Sequence, residues 1–263
     1  MHGSVPNVNG EKPIPDVVSM TDRPQGTHPP FDLVFGVPHL PDAFDNAVLP
    51  VDKPPAWSSF DVVRKVRRLV GQRKVGHAGT LDPMATGLLV CLIGRATKQM
   101  EAFMGLPKTY TGTFRLGETT PSYDAETPVA ERHPWEGVSD ADLEAARRRF
   151  MGPITQTPPM YSAVKVGGER LYRKARRGED VARPPRRVEV MRFDVTGRTG
   201  PDVSFIIECS KGTYLRSIAH DIGQVLGVGA HLIALRRTRI GALRVEDAWS
   251  IDALADRLAE RRN

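Results

Sequence analysis

Six consecutive apolar residues, Leu88–Ile93 (LLVCLI), constrain this chain more than any other stretch. The run is far too short to cross a membrane and has no polar alternation, so it reads as a buried strand of a sheet. Lys108–Leu116 (KTYTGTFRL) does alternate, with Tyr110, Gly112, Phe114 and Leu116 on one face and threonines with Arg115 on the other, as a half-buried strand requires. Val188–Val195 and Val203–Ser210 have strand character around a turn at Thr199-Gly200-Pro201, and His231–Ile240 (HLIALRRTRI) reads as a further strand. Between these lie helical periods. Phe60–Val70 follows the caps Ser58 and Ser59 and stops at Gly71; Arg95–Met104 is a short helix; Ser139 caps one through Phe150; Thr213 caps Tyr214–Leu226; Ser250 caps a last one carrying Ile251, Leu254 and Leu258. The elements mix without regular βαβ alternation. The expected fold class is α+β, with a mixed, mostly antiparallel sheet flanked by helices.

Charge is distributed unevenly. The 263 residues carry a formal net charge of +6. Nine basic residues (Lys165, Arg170, Arg173, Lys174, Arg176, Arg177, Arg183, Arg186, Arg187) against Glu169, Glu179 and Asp180 place that whole excess between 165 and 187. A polyanionic partner is expected there. A second basic run, Arg64, Lys65, Arg67 and Arg68 followed by Arg73 and Lys74, suits phosphate contact as well as a solvated helix face. Residues 1–46 are proline-rich and acidic, with no helical or strand period, and are expected to form a flexible extension; the domain is expected to begin near Asn46 and to run to 263. Residues 154–187, with little core periodicity, read as an excursion from that domain. No secretory signal or spanning segment is visible, so the expected location is cytoplasmic. Cys91 and Cys209 sit in apolar runs and read as small buried hydrophobes rather than a disulfide or metal site.

Immediately before the apolar strand stands GHAGTLDPMATGLL, residues 76–89. Asp82 precedes Pro83, which disfavours helix, and lies between Gly79 and Gly87, so a loop presents its carboxylate. The stretch lacks the Gly-Lys-Ser/Thr ending of a phosphate loop and the spacing of a dinucleotide fingerprint. From these features alone, a catalytic carboxylate and an Asp-Pro turn capping the next segment both remain open.

GHAGTLDPMATGLL closely resembles the signature of the TruB family of tRNA pseudouridine synthases. DKPPAWSSFDVVRKV upstream, then RATK, KTYTGTFRLGETT, QTPPMYSAVKVGGERLYRKARRGEDV, CSKGTYLRSIAHDIG and GAHLIALRRTRIG resemble the same family in its order, over roughly residues 47–255. The resemblance implies the pseudouridine synthase fold and isomerisation of the T-loop uridine of tRNA, at position 55, without metal or other cofactor. It implies Asp82 as nucleophile, Arg216 pairing with Asp82 and keeping it ionised by lowering its pKa, and Tyr110 stacking on the target base. It also implies Tyr214 and Leu235 in the pocket, His77 supporting the flipped state of the RNA, Lys98 as a further substrate contact, and a thumb-like insertion whose Arg173, Lys174, Arg176 and Arg177 grip the T-arm. A monomer with tRNA as partner is expected.

One segment departs from the family pattern. After Gly117 the chain reads ETTPSYDAET, which leaves the role of Asp124 open. The C-terminal PUA-type RNA-binding module of many relatives is expected to be absent or reduced. Two other readings are a guide-RNA-dependent dyskerin-type synthase and a tRNA-binding folding chaperone. The YSAVKVGGERLYRKARRG insertion favours the stand-alone tRNA enzyme.

Overall fold

The computed structural model describes residues 32–34, 40, 43–162, 165–179 and 181–261. Among them, ten strands form one sheet. From one edge the order is β1 (Asp32–Leu33), β2 (Asn46–Lys53), β4 (Thr86–Gly94), β13 (Ala230–Ile240), β5 (Lys108–Leu116), β12 (Asp202–Cys209), β11 (Arg186–Thr199) and β8 (Gly152–Gln156). β3 (Val75–His77) joins β4, and β14 (Leu243–Arg244) joins β13. Two small ribbons stand apart: β6 (Glu118–Thr119) with β7 (Glu131–Arg132), and β9 (Lys165–Val166) with β10 (Glu169–Arg170). Only β1/β2 and β4/β13 pair in parallel, so the sheet is mixed and mostly antiparallel as expected.

The unbroken apolar run follows from what covers β4. Leu89, Cys91 and Ile93 pack with α1 (Ser59–Val70) and α6 (Ile251–Glu260), while Leu88, Val90 and Leu92 pack with Phe103 and Ile240 on the other face. Neither face meets water, so no polar alternation is tolerated. Beyond β13, a separate cluster packs β5, β11 and β12 against α5 (Leu215–Val225) and α3 (Asp140–Arg148). The two halves meet at a narrow seam, where β4 and β13 pair only through Thr86↔Arg236 and Gly87↔Arg237. Gly87 has φ +99, and a Cβ there would lie 2.3 Å from the carbonyl oxygen of Arg237. Only glycine permits that approach.

Helix starts follow the expected chemistry, with exceptions. Ser58 and Ser139 form capping boxes with Asp61 and Asp142, and Ser250 caps α6. Arg95–Met104 divides into a 3₁₀ turn at Arg95–Gln99 and α2 (Met100–Gly105). Thr213 does not cap α5: its hydroxyl donates to the Ser210 carbonyl, and the N-cap residue is Tyr214. A buried amide does the holding there instead. Gln156 accepts from the Tyr214 N–H at 3.0 Å and donates to its carbonyl at 3.1 Å.

The sheet also starts earlier than composition suggested. Asp32–Leu33 pair with β2, and Val34 and Phe44 are buried in the β2/β4 core, because apolar side chains here have a sheet edge to complete. The rest of the expected N-terminal extension lies outside the described residues. The excursion leaves the sheet at β8 and returns at β11, with Gln156 opposite Arg186 at its base and α4 (Leu171–Arg176) within it.

Candidate active site

The loop bearing Asp82 spans the gap between β3 and β4, directly at the seam. It is held from three sides. The Leu81 N–H donates to Ser59 Oγ at 2.8 Å, and that hydroxyl donates back to the Leu81 carbonyl, tying the loop to the first turn of α1. Lys53, fully buried, donates to the carbonyls of Pro54, Trp57 and Pro83. Arg237, 1% exposed, donates to the carbonyls of Gly79 and Leu88, one on each side of Asp82. With all these donors placed, the Asp82 carbonyl accepts from Ala85 N–H in a tight turn and the side chain projects outward. The Asp-Pro pair makes a turn, and that turn presents the Asp82 carboxylate.

Arg216, in the first turn of α5, meets that carboxylate along one edge of its guanidinium. Nε lies 3.0 Å from Asp82 Oδ2, and Nη2 donates to Oδ1 at 3.1 Å. One hydrogen bond and a second close ion-pair contact hold both carboxylate oxygens against the same guanidinium edge. The remaining nitrogen, Nη1, donates to the Ser122 carbonyl at 3.3 Å and lies 3.3 Å from Asp124 Oδ2. Asp124 is fully buried and accepts from Ser122 Oγ and the Glu126 N–H. It therefore anchors the arginine from behind. The irregular segment between β6 and β7 supplies this second carboxylate, and no periodicity in the sequence could have placed it.

The electrostatic balance differs from expectation. Arg216 does pull the Asp82 pKa down, helped by Lys53, but burial is the larger influence and, with Asp124, it holds the carboxyl above its usual range. The pair thus joins a permanent cation to a carboxylate whose pKa burial holds above the ordinary range. Lys53 is lowered to about 8, mainly by burial. Burial likewise raises Cys91 to about 12 and Cys209 to about 11, consistent with inert buried thiols.

Asp82 and Arg216 lie at a cleft of about 610 Å³ whose walls include Tyr110, Tyr214 and Leu235. Five of the expected residues thus converge. Tyr110, on β5, is 8% exposed and has its phenol held above its usual pKa by burial. Tyr214 carries the Arg186 guanidinium over its ring at 5.3 Å, a cation–π contact at the mouth. His77 and Lys98 are not part of the cleft wall. His77 ends β3, half-buried, and burial followed by the charge of Arg237 lowers its pKa, so the neutral imidazole prevails. Lys98 is exposed on the 3₁₀ turn. In the insertion, Arg173 is exposed and Lys174 half-buried; the Arg176 side chain lies outside the described residues. Arg177 is committed internally, with both terminal nitrogens on Glu169 and Nε on Glu179. Sequence reasoning did not single out Gln156, Arg186 or Arg237 as parts of this site.

Residues 67–215 match the family described as "TruB family pseudouridylate synthase (N terminal domain)", and residues 216–263 match "tRNA pseudouridylate synthase B C-terminal domain". The second match falls on α5, β13 and α6, elements of the same body. Among curated relatives, tRNA pseudouridine synthase B of Opitutus terrae is 49% identical over 80% of this chain and 87% of its own. The proteins of that name from Thermobifida fusca and Flavobacterium johnsoniae are 50% and 42% identical, over 74% and 96% of their lengths. Solved structures with the same fold include an archaeal box H/ACA sRNP Nop10–Cbf5 complex (28% identity, TM-score 0.61, 82% of this chain) and a Cbf5–Nop10–Gar1 complex (31%, 0.63, 80%). This chain spans about half of each of those two, 55% and 53%. On the strength of the family matches and these identities, the chain belongs to the TruB family of pseudouridylate synthases.

Proposed function

We propose that this protein isomerises the T-loop uridine of tRNA, position 55, to pseudouridine, with Asp82 as nucleophile. The observation that carries the reading is the two-point Arg216–Asp82 pair at a cleft walled by Tyr110 and Tyr214. The reaction breaks the bond from uracil N1 to the ribose, turns the ring and forms a bond from C5 to the same ribose carbon; C5 loses its proton and N1 takes one up, so substrate and product are isomers. A carboxylate more basic than usual suits every way of starting it: attack on the sugar or the ring, or removal of a sugar proton. The guanidinium holds the carboxylate in one orientation throughout.

A stacked base is out of reach of this pocket, so the uridine has to leave the loop stack, and Tyr110 offers the face on which it rests. Tyr214 and Leu235 complete the walls. His77, Lys98, Arg173, Lys174, Arg176 and Arg177 serve the RNA outside the cleft, the last four from the insertion that acts as a thumb on the T-arm. The protein works as a monomer in the cytoplasm. The guide-dependent alternative is less well supported: the tRNA-named relatives are 42–50% identical over most of their lengths, the H/ACA ones 28–31% over about half.

The decisive experiment incubates the protein with unmodified tRNA transcript and maps pseudouridine chemically, beside Asp82→Asn. Product at the T-loop uridine is expected from the wild type alone. A fully active Asp82→Asn would sink the nucleophile assignment, and product only with an added guide RNA would favour the second reading.

A further inference from the structure

Tyr123 occupies a conformation that its side chain should avoid. Its φ is +64, in the left-handed region that bulky residues seldom enter. Its ring lies flat on His220, with centroids 3.8 Å apart and planes 15° from parallel. His220 stands four residues after Arg216 on α5, hence on the same face and one turn along. The two turns grip consecutive residues of one loop: Arg216 Nη1 meets the Ser122 carbonyl and the Asp124 carboxylate, and His220 takes the Tyr123 ring between them. The loop is also tied to β13, because the Tyr123 carbonyl accepts from Leu232 N–H, and to itself through Tyr123 N–H to the Thr120 carbonyl. The left-handed turn at residue 123 brings a carbonyl and a carboxylate from either side of it to the same guanidinium nitrogen. Burial lowers the His220 pKa, which favours a neutral ring for stacking.

We propose that the Tyr123–His220 stack is a positioning clamp for the reaction: it locks the 122–124 loop so that Arg216 is braced from behind and presents its other edge to Asp82. Neither residue touches the reacting atoms. The inference rests on the reading of Asp82 as nucleophile, and the segment involved is the one where this chain departs from the family pattern.

The test is single-turnover pseudouridine formation on saturating tRNA transcript, with tRNA affinity measured separately. Tyr123→Gly keeps the backbone turn and removes the ring; His220→Ala removes the other half; His220→Phe preserves a flat ring. Tyr123→Gly and His220→Ala are expected to slow turnover by about 10- to 100-fold, as sub-ångström misplacement of a reacting group does, with affinity unchanged within a factor of about two. His220→Phe restores most of the rate. The slow variants also move the acid limb of the rate profile, because Arg216 and Asp124, which pull the Asp82 pKa in opposite directions, both lose their fixed positions. Full activity of both ring-deleting variants, a His220→Phe as slow as His220→Ala, or an unmoved acid limb overturns the clamp. If the glycine variant does not fold, as a melting curve would report, the two His220 variants decide. Asp82→Asn run in parallel separates the two ideas: its activity would refute the nucleophile, whereas an inactive Asp82→Asn beside unimpaired clamp variants refutes the clamp alone.

Discussion

Arg216 and Arg177 each bridge two carboxylates, yet they stand in opposite environments. Arg216, with 4% of its side chain exposed, lies between Asp82 and Asp124. Arg177, with 49% exposed, lies between Glu169 and Glu179 in the insertion. Water screens the second arrangement and leaves its partners exchangeable, so an RNA phosphate can compete for the guanidinium. The first has no such competitor. Its geometry is enforced from behind, and what it orients is the carboxylate proposed as nucleophile. An arginine between two acids thus makes a fixed bridge in one place and a displaceable one in the other, and burial decides which.

Several substitutions would break or sharpen that contrast. Arg216→Lys should have the largest effect: an ammonium cannot span both carboxylates, and turnover is expected to fall by about 10²- to 10³-fold with tRNA affinity nearly intact, as rapid-quench kinetics beside filter binding would show. Arg216→Ala should also destabilise the fold by about 3 to 5 kcal/mol, since the buried Asp124 carboxylate then loses its cationic partner, and denaturant unfolding measures this.

Acid should separate the two bridges next. Burial holds the Asp82 carboxyl above its usual range, whereas Glu169 is held below its own, first by its hydrogen bond to Arg177, so the two bridges shift their carboxylates in opposite directions. The folded pKa of Asp82 exceeds its unfolded value. Its contribution to stability therefore rises as pH falls from the folded pKa towards 3.8, even as the nucleophile is lost. Turnover should drop at a pH where the melting temperature has not yet declined; simultaneous loss of both would contradict this assignment.

A smaller change is expected from Arg173→Ala, Lys174→Ala and Arg176→Ala combined. Binding of tRNA should weaken, and the slope of log affinity against log salt should flatten by up to about 0.9 for each phosphate that is no longer neutralised. An unchanged slope would mean that the insertion does not hold RNA. Smallest of all, Glu169→Gln should remove the carboxylate from the two terminal nitrogens of Arg177, leaving Nε on Glu179, and strengthen tRNA binding slightly at low salt, an effect that disappears at high salt. If binding weakens instead, Arg177 is structural and not part of the grip.

The parts of this molecule visible in sequence were those governed by local rules. Strand β5 runs from Lys108 to Leu116 as its alternation dictates, and Ser58, Ser139 and Ser250 mark helix starts because their caps are made within four residues. Thr213 misled because a tertiary partner, Gln156, had already satisfied the Tyr214 N–H. The two-residue strands went unseen, since pairing rather than pattern creates them. For the site, Asp82, Tyr110, Tyr214, Arg216 and Leu235 were reached through resemblance, whereas Asp124, Arg237 and Lys53 act by contacts that span long stretches of chain and leave no local mark.

The position of β13 has a consequence for synthesis. This strand comes late in the chain, at Ala230–Ile240, yet it lies between β4 and β5, which are made much earlier. A growing chain at about 5 to 20 residues per second would carry Asp82 clear of the ribosome many seconds before the strand that closes the cleft beside it. In that interval the two halves of the sheet have no common wall and Arg237 is not there to hold the loop. The wall of the cleft and the brace on the Asp82 loop are therefore completed together, when β13 pairs with β4 and β5.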